Sequence, residues 1–356
     1  MRIGSGPAAV NGDESREGPL ESKPLREGAA SRLIRKPEDL PARDIQLHTN
    51  VDKVMEETMM KKKEIFISVC LVFLIVFSAN FALAGKHGES KPQKEAILLV
   101  AFGTTVPEAR KAFDQIESQV KVAFPGVEVR WAFTSSIVRK KLSDQGVKLD
   151  PPTVALSKML EDGFNRVVVA SFHTLPGEEF HDLYKDVEAF RNMSGSSQRK
   201  ILVARPLLSS RKHMEAAIKA MLDQTPTSRK PGDAILLMGH GSAHHPGDAV
   251  YAAMNYYAQD TDPNLYIATV EGQPTLEDVV PRLKKKGIKK VYLMPFMAVA
   301  GDHARNDMCG DEKDSWRSML TKDGFEVECV MKGTAENPEI VNLWIENIKA
   351  AHSHFK

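Results

Sequence analysis

The sequence predicts an α/β protein of two similar lobes, each a parallel sheet flanked by helices, with a cleft between the lobes. One observation is an internal repeat, since residues 96–104 read AILLVAFGT and residues 234–242 read AILLMGHGS. A second repeat follows, in which VVVASFHTLPGEE at 167–179 aligns with VYLMPFMAVAGDH at 291–303. In both halves, apolar runs alternate with helical patterns, which is typical of parallel βαβ units.

Each half is predicted to contain four strands. Apolar runs such as residues 97–101 suit strands that helices cover on both faces. Helices fit between the strands, for example over 107–124 and 275–286, which begin with residues suited to a first turn and end near Gly or Pro. The predicted strands are 96–102, 127–133, 166–172 and 201–204 in the first half, and 234–240, 265–270, 290–296 and 326–330 in the second.

A segment rich in Thr, Ser, Pro and Gly at 225–232 separates the two halves. We therefore expect an N-terminal lobe over 95–226 and a C-terminal lobe over 232–352. The chain has 356 residues, of which 42% are hydrophobic, so it can bury cores of this size.

The first 84 residues are expected to lie outside these lobes. Residues 1–58 are polar, contain many Pro, Gly and charged residues, and lack periodic apolar positions, which indicates a disordered extension or a start site assigned too early. Residues 59–84 have the order of a signal peptide: lysines at 61–63, an apolar run at 65–77, then Ala82-Leu83-Ala84. We expect cleavage after Ala84, export to the periplasm and no stable membrane span afterwards; a retained anchor is the alternative.

Net charge and cysteine content limit the function classes and the compartment that the sequence allows. A formal net charge of +1 gives no electrostatic case for binding nucleic acid. Cys309 and Cys329 could pair in an oxidising compartment or remain free. The sequence leaves open whether the protein forms a homo-oligomer.

The repeat places four residues of chemical interest at two pairs of equivalent positions. Phe102 aligns with His240, and Glu179 aligns with His303. All four come at or just after predicted strand ends, where open α/β sheets bind their ligands. Two imidazoles and a carboxylate suit a divalent transition metal. Glycines on both sides of His240 would let the backbone approach a ligand closely.

Several strings resemble a known family. They are AFGTT, AFTSSIVRKKL, SFHTLPGEEF, RPLLSS, LLMGHGSAHH, TVEGQPTLEDV and LMPFMAVAGDHARNDMCGDEKDSW, which together span residues 95 to about 350. They resemble the anaerobic-type sirohydrochlorin cobaltochelatases, which are class II tetrapyrrole chelatases (lyases) related to protoporphyrin ferrochelatase. The resemblance implies two α/β lobes and insertion of Co²⁺, or alternatively Fe²⁺, into sirohydrochlorin.

The resemblance also implies residue roles. Glu179, His240 and His303 would bind the metal ion, and the two histidines would be catalytic, because a neutral imidazole can hold an ion and then accept a pyrrole proton near neutral pH. From its place after a predicted strand, Glu271 is a further candidate for substrate binding and proton transfer.

The macrocycle needs both apolar walls and hydrogen-bond donors. Phe102 could form part of the wall, although a core position is the alternative. Hydroxyl groups that follow predicted strands could bind the substrate carboxylates, although helix N-capping is the alternative role for each. The candidates are Thr104, Thr105, Ser135 and Ser242.

Export is unexpected for this chemistry, since sirohaem and cobalamin synthesis are expected in the cytoplasm. The alternative function is therefore a periplasmic protein that binds and transports a tetrapyrrole, haem or metal with little turnover. His181, two residues after Glu179, is a candidate axial ligand for haem, within one subunit or shared between subunits; a surface histidine near a helix start is the other interpretation.

Overall fold

The computed structural model describes residues 55–63, 66–68, 92–193 and 199–356. The chain divides into two compact units, Met1–Glu89 and Ser90–Lys356. In the first unit, residues 55–63 and 66–68 are helical. Residues 1–54 of the predicted extension and most of the predicted signal peptide, including the cleavage site, lie outside the described residues, whereas the last residues of that extension, 55–58, are helical. Among the described residues, no helix has both the length and the apolar character needed to cross a membrane.

The second unit contains two four-stranded parallel sheets, as the duplication predicts. The first has the strand order β2-β1-β3-β4 and the second has the order β6-β5-β7-β8. Equivalent strands of the two halves therefore occupy equivalent places. The first sheet consists of β1 (Glu95–Ala101), β2 (Glu128–Phe133), β3 (Arg166–Ser171) and β4 (Lys200–Ala204), and the second of β5 (Ala234–Gly239), β6 (Leu265–Thr269), β7 (Lys290–Pro295) and β8 (Glu326–Cys329).

Helices connect successive strands, as parallel pairing requires. In the first half they are α1 (Pro107–Ala123), α2 (Ser136–Asp144), α3 (Pro152–Glu161), α4 (Glu178–Arg191) and α5 (Arg211–Asp223). In the second half they are α6 (Ala249–Thr261), α7 (Leu276–Lys285), α8 (Trp316–Lys322) and α9 (Pro338–His352), with a π-helical turn at Ala304–Met308 between β7 and α8.

The two halves share one core. Leu99 of β1 and Leu237 of β5 are fully buried in the same apolar cluster, together with residues of α1, α5, α6 and α9. Separate clusters cover the other face of each sheet. Because the lobes bury apolar surface against common helices, the loops at their strand ends face each other across a defined gap.

The last helix crosses from the second half to the first. Helix α9 packs against β3 and β4, and Trp344 lies with its ring centroid 5.2 Å from that of Phe172. The predicted C-terminal lobe of 232–352 therefore includes a helix that completes the core of the first sheet. Its apolar face fits there because Trp344 and Ile348 are buried by residues of the first half.

Cys309 and Cys329 form a disulfide bond. The bond joins the residue that follows the π-helical turn to the last residue of β8. It resolves the alternatives that the sequence left open, and it ties the segment after His303 to the second sheet.

Candidate metal centre

Three loops that follow neighbouring strands of the second sheet bring two imidazoles and one carboxylate together. His240 follows β5, Glu271 follows β6 and His303 follows β7, and β5 is the middle strand of these three. One ligand atom from each residue lies within 4.8 Å of the other two, and His240 Nε2 lies 3.9 Å from Glu271 Oε2. Such a donor set suits Zn²⁺, Fe²⁺, Co²⁺ or Ni²⁺.

The loops after β5 and β6 are held against each other through their backbones. The amide of Glu271 donates to the carbonyl of His240 at 2.8 Å. Gly241 has a φ of 80°, and a Cβ at this position would lie 2.6 Å from the amide nitrogen of Gly272. Glycine is therefore required here both for its conformation and for space. The backbone that approaches Gly241 closely is that of the loop after β6, whereas the sequence predicted close approach by a ligand.

Asp248 is a buried carboxylate that fixes the spacing of the same two loops. Its Oδ2 accepts hydrogen bonds from the amide of Ser242 at 3.1 Å and from the amide of Gln273 at 2.9 Å. These amides lie two positions after His240 and Glu271, respectively. One carboxylate oxygen thus couples the positions of two candidate ligands.

Hydrogen bonds to the other ring nitrogen fix the tautomer of both histidines. His240 Nδ1 lies 2.8 Å from the carbonyl oxygen of Gly241, and His303 Nδ1 lies 2.7 Å from Asp307 Oδ2. A carbonyl and a carboxylate can only accept, so each Nδ1 carries the proton and donates. In the neutral rings, each Nε2 therefore offers a lone pair to an ion, and the Asp307–His303 pair is the arrangement that orients metal-binding imidazoles.

Glu179 faces this group from the first lobe. It lies in the first turn of α4, after the N-cap residue Gly177. Loss of solvent around the carboxyl group raises the pKa of Glu179, and the nearby His240 opposes this by favouring the charged form. A carboxyl group with a raised pKa can take up and hold a proton closer to neutral pH, which suits it to proton transfer.

The carboxylate that the structure brings to the two imidazoles is Glu271, whereas the sequence predicted Glu179. The reason is the strand order. Glu271, His240 and His303 follow three adjacent strands of one sheet, while Glu179 follows β3 of the other. Glu179 Oε2 instead lies 3.5 Å from Nε2 of His173. Alignment of the repeats identified the equivalent positions but not the set of side chains that meet.

The candidate ligands line a cavity of about 560 Å³ between the lobes. This volume lies within the range of small-molecule sites, about 300 to 1,000 Å³. Phe102 remains 43% exposed, and its ring centroid lies 6.4 Å from that of His240. An aromatic side chain left open beside polar ligands forms a wall suited to a flat apolar ring. The cavity is also lined by Thr104, Thr105, Glu179, Ser242, Glu271 and His303.

Two of the predicted site residues have other surroundings. Ser135 does not line the cavity; its hydroxyl accepts from the amide of Val138 and caps α2, which is the alternative role that the sequence allowed. The ring of His181 lies outside the cavity lining. Its Nδ1 donates to the carbonyl of Gly177 at 2.9 Å, and its ring lies 4.8 Å from that of His245 in the second lobe.

Three residues around the site were not identified from the sequence. Asp307 lies four positions after His303, so helical spacing between a histidine and a carboxylate could have signalled it. His173 lies in the same SFHTLPGEEF string as Glu179, but a single histidine after a strand is not distinctive. Asp248 accepts hydrogen bonds from the backbone amides of Ser242 and Gln273. No sequence pattern indicates a contact of this kind.

Comparison with known proteins gives a consistent result. Residues 95–353 match the sequence model of the cobalt chelatase (CbiK) family. Sirohydrochlorin cobaltochelatase CbiKC of Nitratidesulfovibrio vulgaris is 39% identical over 275 residues, covering 76% of this chain and 96% of the relative. Sirohydrochlorin cobaltochelatase of Salmonella typhimurium is 30% identical over 260 residues, covering 72% and 96%.

A solved structure has the same fold. SirB from Bacillus subtilis with Fe³⁺ aligns with a TM-score of 0.53 at 15% sequence identity, covering 74% of this chain and 97% of SirB. At this level of identity the likeness concerns the fold. It agrees with two lobes of parallel sheet around a central cleft.

Proposed function

This chain belongs to the cobalt chelatase (CbiK) family, and we propose on that premise that it inserts Co²⁺ into sirohydrochlorin, the substrate named for two of its relatives. The observation that carries the proposal is the group His240, Glu271 and His303 at the wall of the cavity between the lobes. An ion held there would face a flat macrocycle seated in the same cavity.

Metal insertion requires three events. The ion must lose water, it must be presented to the four pyrrole nitrogens, and two pyrrole N–H protons must leave. The Nε2 lone pairs of His240 and His303 and the carboxylate of Glu271 replace water around the ion. Because the ring orientations are fixed by hydrogen bonds to Gly241 and Asp307, little reorganisation is needed when the ion binds.

Proton removal is assigned to the opposite wall. Glu179 lies on the first lobe, so a macrocycle in the cleft would have the ion on one side and this carboxylate on the other. Its raised pKa suits it to accept a pyrrole proton. His240 and His303 can accept the second proton once the ion has passed to the macrocycle, because their Nε2 lone pairs are then free.

The test is an absorbance assay of the purified full-length protein with sirohydrochlorin and Co²⁺. We expect the free macrocycle to be converted to its cobalt complex with multiple turnovers per protein. Retention of a coloured tetrapyrrole without insertion of metal would contradict the proposal and would favour a binding and transport function.

Fe²⁺ is proposed as a second substrate ion. Two imidazoles and one carboxylate do not discriminate strongly between Co²⁺ and Fe²⁺, so availability decides. The same assay with Fe²⁺ under anaerobic conditions should give insertion, and an absence of iron insertion under conditions where cobalt is inserted would rule it out.

Haem binding at His181 is proposed as an additional property. Nδ1 of His181 donates to a carbonyl, so its Nε2 offers a lone pair for an axial position, either within one subunit or shared between subunits of a homo-oligomer. The visible spectrum of the haem-loaded protein should change in His181→Ala and not in His354→Ala, an exposed histidine near the C-terminus. An unchanged spectrum in His181→Ala would refute it.

Export to the periplasm is proposed from the signal-like segment at 59–84 and is supported by the Cys309–Cys329 disulfide. Disulfides persist mainly in oxidising compartments. The chain has three cysteines, and the third, Cys70, lies within the signal-like segment.

Two measurements on protein purified from its native host test the export proposal. We expect N-terminal sequencing to place the mature start after Ala84 and thiol titration in denaturant to find no free thiol, since Cys70 would be removed. A mature protein that retains Asp52, or that shows two or more free thiols, would contradict export by this signal.

A further inference from the structure

His173 is a buried polar side chain that the mechanism above does not use. It follows β3 in the loop that leads to α4, and it is 8% exposed. Its Nδ1 lies 2.9 Å from the hydroxyl oxygen of Ser171. Its Nε2 is shielded from solvent and has no hydrogen-bond partner among the residues that the structure describes, but it lies 3.5 Å from Oε2 of Glu179.

An unpaired polar atom in a protein interior is unfavourable, because it has lost its hydrogen bonds to water, so its placement calls for a reason. Nε2 of His173 points toward the carboxylate that faces the substrate cavity. A small rotation of the Glu179 side chain would shorten the 3.5 Å separation to an ordinary hydrogen bond. Nε2 of His173 and the carboxylate of Glu179 are therefore placed to form a hydrogen bond.

The surroundings of His173 favour one tautomer. The Ser171 oxygen accepts from the amide of His173 at 3.4 Å, which leaves the hydroxyl hydrogen free to be donated to Nδ1. Burial lowers the pKa of His173 to about 4, so the ring is neutral near pH 7 and its single proton lies on Nε2. The N–H group then faces Glu179.

The backbone of His173 is held firmly. Its carbonyl accepts from the amide of Leu207 at 3.3 Å and from the indole of Trp344 at 3.5 Å. Trp344 belongs to α9, the helix that crosses from the second half. The position of the imidazole is thus determined by the first sheet and by the C-terminal helix together.

We propose that His173 is a positioning residue for Glu179: its Nε2–H group donates to the carboxylate and directs it toward the centre of the bound macrocycle. The inference rests on the proposed function, in which Glu179 accepts a pyrrole proton. His173 itself contacts neither the ion nor the reacting nitrogens. It would act by holding the Glu179 carboxylate in one orientation. Residues that hydrogen-bond to metal ligands orient those ligands in the same way.

Kinetics provide one test. His173→Phe fills the site without a donor and should lower kcat for cobalt insertion by about tenfold, with the Kd for Co²⁺ unchanged. His173→Gln places an amide N–H near the former Nε2 and should restore most of the rate. In a Glu179→Gln background, His173→Phe should cause no further loss, since the group it positions is already absent.

A second test does not depend on turnover or on the folding of a His173 variant. Long-range ¹H–¹⁵N NMR of the full-length wild-type protein should show His173 as the Nε2–H tautomer, with a shift of its Nε2 resonance in Glu179→Gln. An Nδ1–H tautomer, or an Nε2 resonance unaffected by Glu179→Gln, would overturn the inference. So would a His173→Phe loss that persists fully in the Glu179→Gln background. A wild-type protein without insertion activity would refute the proposed function, while the NMR result would still decide the contact.

Discussion

Replacing His240 or His303 with alanine is expected to lower the rate of cobalt insertion at least about 100-fold. Loss of a residue that only orients a metal ligand typically costs 10- to 100-fold in affinity or activity, and loss of the ligand itself should cost more. Each histidine supplies an Nε2 lone pair whose direction is fixed by a hydrogen bond at Nδ1. Initial rates by absorbance and Co²⁺ binding by calorimetry measure the effect.

A matched control separates loss of the ligand from loss of the fold. His354→Ala removes an exposed imidazole far along the chain and should leave both the rate and the Co²⁺ affinity unchanged. Circular dichroism should show native helix content for all three variants. If His240→Ala and His303→Ala kept near wild-type rates at limiting Co²⁺, the metal centre would have to lie elsewhere.

The two acidic residues of the cleft are expected to have separable roles. Glu271→Gln should weaken Co²⁺ binding by about 10- to 100-fold, because it removes the charge of the carboxylate beside the two imidazoles. Glu179→Gln should leave the Kd for Co²⁺ within about threefold but lower kcat by about 100-fold, the loss expected when a general base is removed. Calorimetry without sirohydrochlorin and steady-state kinetics with it distinguish the two.

The opposite pattern has a clear meaning. If Glu179→Gln abolished Co²⁺ binding and Glu271→Gln affected turnover alone, the ligand set would be the one that the repeat alignment predicted. Both glutamines preserve side-chain volume, so a difference between the variants would report on charge and hydrogen bonding and not on packing.

The fold could be predicted from the sequence in nearly all its parts. All eight strands lie within one residue of their predicted ends, because continuous apolar runs ending in Gly or polar residues are characteristic of strands buried on both faces. The identical strand order in the two sheets follows from the duplication. The crossing of α9 could not be read from the sequence, since an apolar helix face does not specify which sheet it covers.

The site was predicted in part. The repeat alignment selects His240 and His303 because they align with Phe102 and Glu179 at strand ends, and the structure brings both histidines to one cavity, with the ring centroid of Phe102 6.4 Å from that of His240. Glu271 was recognised only as a weaker candidate. Its proximity depends on β6 being the neighbour of β5, and on Gly241 letting the loop at Gly272 approach. Such contacts between loops leave no periodic signal in a sequence.

The hydrogen-bond networks around the candidate ligands could not be predicted from the sequence either. Asp248 acts on backbone amides of two loops, and His173 reaches Glu179 only because the loop after β3 folds back to begin α4. A carboxylate four residues after a histidine, as in the pair of His303 and Asp307, is the kind of local pattern that a sequence can reveal.

The position of the bound ion tests the central claim most directly. Crystals of the full-length protein grown with Co²⁺ should show an anomalous peak at the cobalt edge, with the ion about 2.0 to 2.2 Å from Nε2 of His240, Nε2 of His303 and a carboxylate oxygen of Glu271. An ion bound by Glu179 in place of Glu271, or bound away from the two imidazoles, would contradict the account.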